Sequence, residues 1–358
     1  MKRILKALKR FWFISVILLV VLIVVGLVGY YIFLGANRFS DEPEKVFLVW
    51  RGQSFPSIVD SLEQQGIVRD RQLFVFVAKI AGGTEHLQVG RYRFQSGLSN
   101  YEILLSIRDG KGNEPMAVSI PEGLQAKQQA RILARRIGID SARYVSLVHD
   151  SSFISSLGID APSLDGYLLP DTYSFHWQTD EKTVIRELVE QFHRFYNDSL
   201  KQREAELGWT MNQVLSLAAI VEGEAILDEE RPRIAGVYHN RLAKRMRLEA
   251  DPTIQYIIED GPRRLFYDDL KIHSPYNTYR NYGLPPGPVN SPGKASILAS
   301  LYPEQNGFLF FVANGQGGHW FSKSYSEHLR NVRKFRRDRR RRQSEALTQI
   351  PSGGSQQK

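Results

Sequence analysis

Two carboxylates close a largely apolar stretch, Asn212 to Ala225 (NQVLSLAAIVEGEA), and their type and spacing suit acid–base chemistry. Read as a helix, the stretch separates Glu222 from Glu224 by about 200°, so the two acids cannot serve one site as a facing pair. Glu224 shares its face with Leu217, Ile220 and Val221, and Glu222 shares its own with Leu215, Ala218 and Ala219. A carboxyl held against apolar side chains loses hydration. Its charged form is then disfavoured, and it keeps a proton that it can donate near neutral pH. The plainer alternative is that either acid meets water or pairs with Arg231 or Arg241, which follow closely in sequence.

The neighbouring segments must position these acids. Pro232 opens a second helical pattern that puts Ile234, Val237, Tyr238, Arg241 and Leu242 on one stripe. An arginine on an apolar stripe calls for an anionic partner, either a structural carboxylate or a substrate group. Asp251 before Pro252 reads as the N-cap of a third helix. From Ser274 to Gly293, three tyrosines, three asparagines, five prolines and three glycines share twenty residues, which excludes helix and central strand. Such a tyrosine-lined loop suits sugar rings, whose C–H faces stack on aromatics while amides and hydroxyls take polar groups, although an ordinary surface loop has the same composition. Upstream, Leu124 to Ile137 reads as a basic helix after the turn Pro121-Glu122-Gly123. LDGYLLPDTY (164–173) reads as a packed loop, and Glu181 to Leu207 as one long helix.

Nearer the start, Val46 to Trp50 is strand-like, Phe55, Ile58, Val59 and Leu62 make a helical stripe, Arg71 to Ile80 is helical, Gln88 to Phe94 strand-like and Tyr101 to Arg108 helical. The first four of these resemble a LysM-type carbohydrate-binding module.

Composition sets the frame. At 358 residues, with 42% hydrophobic and 24% charged, the chain can bury more than one core. The absence of cysteine excludes disulfide scaffolds, thiol nucleophiles, iron–sulfur clusters and thiolate zinc sites. The net charge of +9 is concentrated at the ends, in five basic groups within residues 1–10 and nine within 330–342, so the middle is slightly acidic and nucleic-acid binding is not expected. Phe11 to Leu34 runs twenty-four residues without a charge. That is enough helix to cross about 30 Å of hydrocarbon, and the basic residues before it place the N-terminus in the cytoplasm and the rest outside.

The ordered set Glu222-Gly223-Glu224, Glu230-Arg231, Asn240-Arg241-Leu242, Met246-Arg247-Leu248, Asp251-Pro252-Thr253, Tyr276-Asn277-Thr278-Tyr279, Gly283-Leu284-Pro285-Pro286-Gly287 and Gly317-Gly318-His319 resembles the endolytic murein transglycosylases of the YceG-like family. Two positions depart from that pattern. Gly223 stands where lysine is usual, which loosens the helix end beside the acid, and Leu329 follows His328 where asparagine is common. The resemblance implies an α+β protein divided into a cytoplasmic N-terminus (1–10), a transmembrane helix (11–34), a tether (35–45), a LysM-like module (46–112), a mixed α/β catalytic domain (113–332) and a basic, disordered tail (333–358). It implies that Glu224 is the catalytic acid of a lytic transglycosylase that cuts glycan strands between MurNAc and GlcNAc, leaving 1,6-anhydro ends, with no metal and no cofactor. Glu222, Arg241, Asp251, Gln255, Tyr276, Asn277, Thr278 and Tyr279 are then candidates for holding the strand. Peptidoglycan strands, penicillin-binding synthases and the inner membrane are the implied partners. A two-carboxylate muramidase using Glu224 with Glu222 or Asp251, and a wall-binding scaffold without activity, are the competing expectations.

Overall fold

The uncharged run folds as most of helix α1 (Lys2–Leu34) in a computed structural model that describes residues 2–39, 42–259 and 261–348. Its most apolar window has no protein packed against it, so a large hydrophobic surface has no partner within the described residues. A helix of this length and composition fits a membrane anchor.

The chain divides into two compact units, the first made of Met1–Ala117, Arg136–Gly138 and Ser174–Thr179, and the second of the remainder. In the first unit, strand β1 (Glu44–Val49) runs antiparallel to β2 (Gly90–Gln95) with Phe47 opposite Tyr92. Between them lie α2 (Phe55–Gln64), capped by Ser54, and α3 (Arg71–Ile80), capped by Asp70; α4 (Asn100–Asp109) follows behind a Ser99–Glu102 capping box. The alternation of the strands and the helical stripes meet in one core of Phe47, Val59, Leu62, Phe74, Tyr92 and Leu104. The order of elements is the one read from periodicity. Within the tether Asn37 is buried, donates to the Leu98 carbonyl (3.1 Å) and to Asn100 Oδ1 (3.0 Å), and accepts from the Arg69 amide (3.2 Å). A short polar side chain with three partners fastens the segment that follows α1.

Beyond it come β3 (Met116–Ser119), α5 (Ala126–Ile137), α6 (Ser141–Val148), α7 (Ser151–Ser156) and β4 (Thr172–Phe175), β3 and β4 forming a two-stranded sheet. Helix α5 starts two residues later than its apolar pattern does, because Leu124 pairs its backbone with Ser291 (Ser291 N–H to Leu124 O, 2.9 Å). The long helix expected over Glu181 to Leu207 is two: α8 (Glu181–Phe195) and α9 (Asp198–Leu207). Asn197 breaks it by capping α9 with its side chain, while Tyr196 is buried and donates to Glu204 at 2.7 Å.

The second unit is centred on α10 (Met211–Glu224), in which every residue from Val214 to Val221 is buried. Around it lie α11 (Arg231–Ala243), α12 (Asp251–Ile257) and α13 (Lys294–Leu301), and their shared core includes Leu217, Ile220, Ile234, Tyr238 and Leu248. A hairpin of β5 (Phe310–Ala313) and β6 (His319–Ser322) sets Phe311 opposite Phe321. The last element, α14 (Tyr325–Thr348), carries the Arg-rich run as a helix end; residues 349–358, the remainder of the expected tail, lie outside the described residues. The result is a mixed α/β protein in which helices dominate.

Candidate active site

Helix α10 begins with a capping box, Thr210 accepting from the Gln213 amide (3.3 Å) while Gln213 accepts from that of Thr210 (2.8 Å). It ends at Glu224, with Ala225 already extended. The turn that carries Gly223 is helical, and helix α12 closes against it. A Cβ at Gly223 would come within 2.5 Å of Pro252 Cγ, so the glycine lets the two helix ends approach, and the backbone N–H of Asp251 donates to the Glu224 carboxyl.

The two acids diverge as helical geometry requires. Glu222 turns into a polar nest in which its Oε2 accepts from Ser296 Oγ (2.8 Å) and from the Gly293 amide (3.0 Å) and faces Arg231 Nη1 at 3.0 Å. Both side chains of this ion pair are only 7% exposed, which removes Glu222 from the candidates for strand contact. Arg231 also reaches Asp228 at 2.9 Å.

Glu224 is partly buried and lines a cleft of about 330 Å3 with Asp251, Gln255, Gln125, Gln128 and Asn290. Tyr238, 1% exposed, donates its hydroxyl to Glu224 Oε1 at 3.2 Å. Burial, and after it the nearby charge of Asp251, pushes the Glu224 carboxyl up to about 7 against the opposing pull of Tyr238, the Asp251 N–H and Arg241. A glutamic acid placed in this way is protonated below neutral pH and can both donate and take back a proton near it.

The other sequence candidates divide by what their polar atoms already do. Arg241 is 8% exposed and donates to the Leu248 and Leu309 carbonyls, each at 2.7 Å, with Glu249 at 3.5 Å as the anionic partner its stripe demanded. It fixes backbone and lends a positive field to Glu224. Asp251 is not an N-cap: Ala250 precedes the helix, and the exposed Asp251 carboxylate instead accepts from the Tyr279 hydroxyl at 2.5 Å. Gln255 lines the cleft but spends its amide on the Arg263 backbone (2.5 and 3.0 Å).

In the tyrosine-rich loop, Asn277 is fully buried and donates to the Leu270 and Ile272 carbonyls at 3.1 and 2.8 Å. Thr278 is likewise buried and bonds Ala250 N (3.0 Å) and Thr253 Oγ1 (2.9 Å). These two brace the loop and cannot touch a strand. Tyr276, half-buried, packs against Tyr256 with ring centroids 4.8 Å apart and the planes tilted by 41°.

Sequence reasoning gave no role at the site to Tyr238, which it placed only on an apolar stripe, or to Gln125 and Gln128. A signal existed for the first of them: a tyrosine on the same buried stripe as Ile234 and Val237 needs a partner for its hydroxyl, and Glu224 is that partner.

A poorly hydrated carboxyl over a cleft, backed by a buried tyrosine, on a mixed α/β frame is an arrangement suited to acid–base work. The YceG-like family model matches residues 47–334, and the chain belongs to that family. It is 29% identical over 302 residues to the endolytic murein transglycosylase of Bacillus subtilis strain 168, covering 79% of this chain and 82% of that protein. It is 30% identical over 315 residues to the endolytic murein transglycosylase of Streptococcus pneumoniae R6, covering 78% of this chain. The match spans 56% of that longer protein. A crystal structure of a YceG-like protein from Listeria monocytogenes is similar at a TM-score of 0.58 and 30% identity, over 80% of this chain and 98% of that one.

Proposed function

We propose that this protein is a membrane-anchored endolytic lytic transglycosylase of peptidoglycan, with Glu224 as its acid and base. The observation that carries the reading is the Glu224 carboxyl itself, lining a cleft of about 330 Å3 and pushed up to about 7 by burial. In the first half-reaction protonated Glu224 gives its proton to the oxygen joining MurNAc C1 to GlcNAc, the C1–O bond breaks with its electron pair leaving on that oxygen, and C1 becomes electron-deficient. In the second half-reaction the MurNAc C6 hydroxyl oxygen bonds to C1, and its proton returns to Glu224. Hydrolytic glycosidases need a second carboxyl to attack or to activate water; the intramolecular closure needs neither. Tyr238 stabilises the carboxylate between the two halves.

On this reading the first helix holds the enzyme in the cytoplasmic membrane with its bulk outside, residues 46–112 act as a LysM-like module ahead of a catalytic domain over 113–332, and peptidoglycan synthases are its partners. The similarity to proteins named endolytic murein transglycosylases supports the substrate class. The rival with a specific observation behind it is a muramidase pairing Glu224 with Asp251, since both line one cleft, whereas Glu222 is tied to Arg231. Mass spectrometry of sacculi digested by the full-length protein separates the two. Anhydro-MurNAc ends are expected, and reducing ends would establish hydrolysis instead.

The pH profile follows from Glu224. Turnover is expected to fall as pH rises through about 7, where the acid loses its proton. Tyr238→Phe removes a bond that favours the carboxylate, so the acid holds its proton to higher pH and the alkaline limb of kcat should move up, with kcat itself lower by several-fold; a downward move would contradict the arrangement. The folded protein binds this proton more tightly than the unfolded chain, so the contribution of Glu224 to stability is greatest below the ordinary carboxylate range and declines as pH rises toward about 7.

A further inference from the structure

Asp251 is an unusual neighbour for a proton donor. Its backbone N–H bonds the Glu224 carboxyl, and its own carboxylate, open to solvent, belongs to the lining of the same cleft and is near enough for its charge to act on that acid. It caps no helix and makes no ion pair among the described residues. Among the described residues its side chain has one hydrogen-bond partner, the Tyr279 hydroxyl, which donates to Oδ1 at 2.5 Å and fixes the carboxylate's direction. The acid beside it, Glu224, is also under the influence of Tyr238 and Arg241, and the positive charge of Arg241 is committed to the Leu248 and Leu309 carbonyls and to Glu249. Two acids in different environments along one cleft can divide their roles in sugar chemistry, one giving a proton and the other meeting developing positive charge.

We propose that Asp251, oriented by Tyr279, is a second catalytic group, whose carboxylate stabilises the positive charge that develops at the anomeric carbon as the glycosidic bond breaks. The inference rests on the transglycosylase reading and deepens it. No bond forms to Asp251. The electron pair of the C1–O bond leaves on the oxygen that Glu224 protonates, the deficit at C1 is met electrostatically, and O6 of the same sugar then supplies the new pair while its proton returns to Glu224. A fixed charge aimed where charge develops lowers the barrier without tightening ground-state binding. Asp251 would therefore act on kcat, unlike a residue that merely holds the strand.

The test uses the full-length protein on purified glycan strands. Asp251→Asn, isosteric and able to keep the Tyr279 contact, is expected to lower kcat by about a hundredfold with KM within about threefold. Asp251→Ala is expected to lose as much and to regain part of it when formate is added, the small carboxylate entering the vacated space. A rise in KM with kcat retained, or an alanine variant that formate does not revive, overturns the proposal. The parent reading fails on different results: reducing ends from the unmodified enzyme, or cleavage that survives Glu224→Gln.

Discussion

Glu224→Gln is expected to reduce strand cleavage by at least about a thousandfold, the range that general acid and base work contributes, while the protein still folds and still binds glycan. Glutamine matches the shape of the protonated acid that the cleft holds below pH 7, and its amide oxygen can accept from Tyr238 and from the Asp251 N–H as the carboxyl does. What it cannot do is give a proton to the leaving oxygen or take one from the C6 hydroxyl. Loss of both half-reactions leaves no partial route, so the effect should fall on kcat, with binding of a GlcNAc–MurNAc oligomer nearly unchanged. Release of fragments from sacculi, followed by chromatography, reads the first, and calorimetric titration of the oligomer reads the second. Activity within tenfold of the unmodified enzyme would mean that another group supplies the proton.

Arg231→Met should be the most destabilising single change near the site, by about 3–5 kcal/mol, because it leaves the Glu222 carboxylate buried without its cation. Ser296 and the Gly293 amide would still donate to Glu222, but neither carries charge. The loss of the Asp228 contact adds little, since that carboxylate is exposed. Urea unfolding measures the change directly. Combining the substitution with Glu222→Gln should recover much of it, as removing both charges avoids the uncompensated one. A loss below about 1 kcal/mol for the single variant would show that the nest tolerates an unpaired acid.

The divergence of the two glutamates was legible because it follows from helical period alone, and that period placed Glu222 and Glu224 on opposite courses before any packing was known. Which of them meets the cleft was not legible, since both faces of α10 are apolar and the decision is made by Arg231, Ser296 and Pro252, brought up from three separate segments. The first unit was readable in order, because each of its helices carries one stripe and each strand alternates. The break at Tyr196 and Asn197 was hidden, since the apolar pattern continues across it and only the capping side chain interrupts the backbone. The loop from Ser274 to Gly293 was correctly excluded from helix and strand, yet its composition misled about contact. Asn277 and Thr278 look like sugar ligands by type, but a loop this irregular must satisfy its own buried backbone groups, and these side chains are used for that. Tyr279 works through Asp251, a partner twenty-eight residues away in sequence that no local pattern could assign.

The central claim is that one carboxyl holds its proton into the neutral range because protein surrounds it. Its most direct test is the titration of the Glu224 side-chain carbon by NMR, with carbon-13 glutamate in the protein and Glu224→Gln used to assign the signal. A midpoint at about 7, falling in Asp251→Asn as the neighbouring charge is removed, is the expected result. A midpoint in the ordinary carboxylate range near 4.5, unmoved by that substitution, would contradict the account.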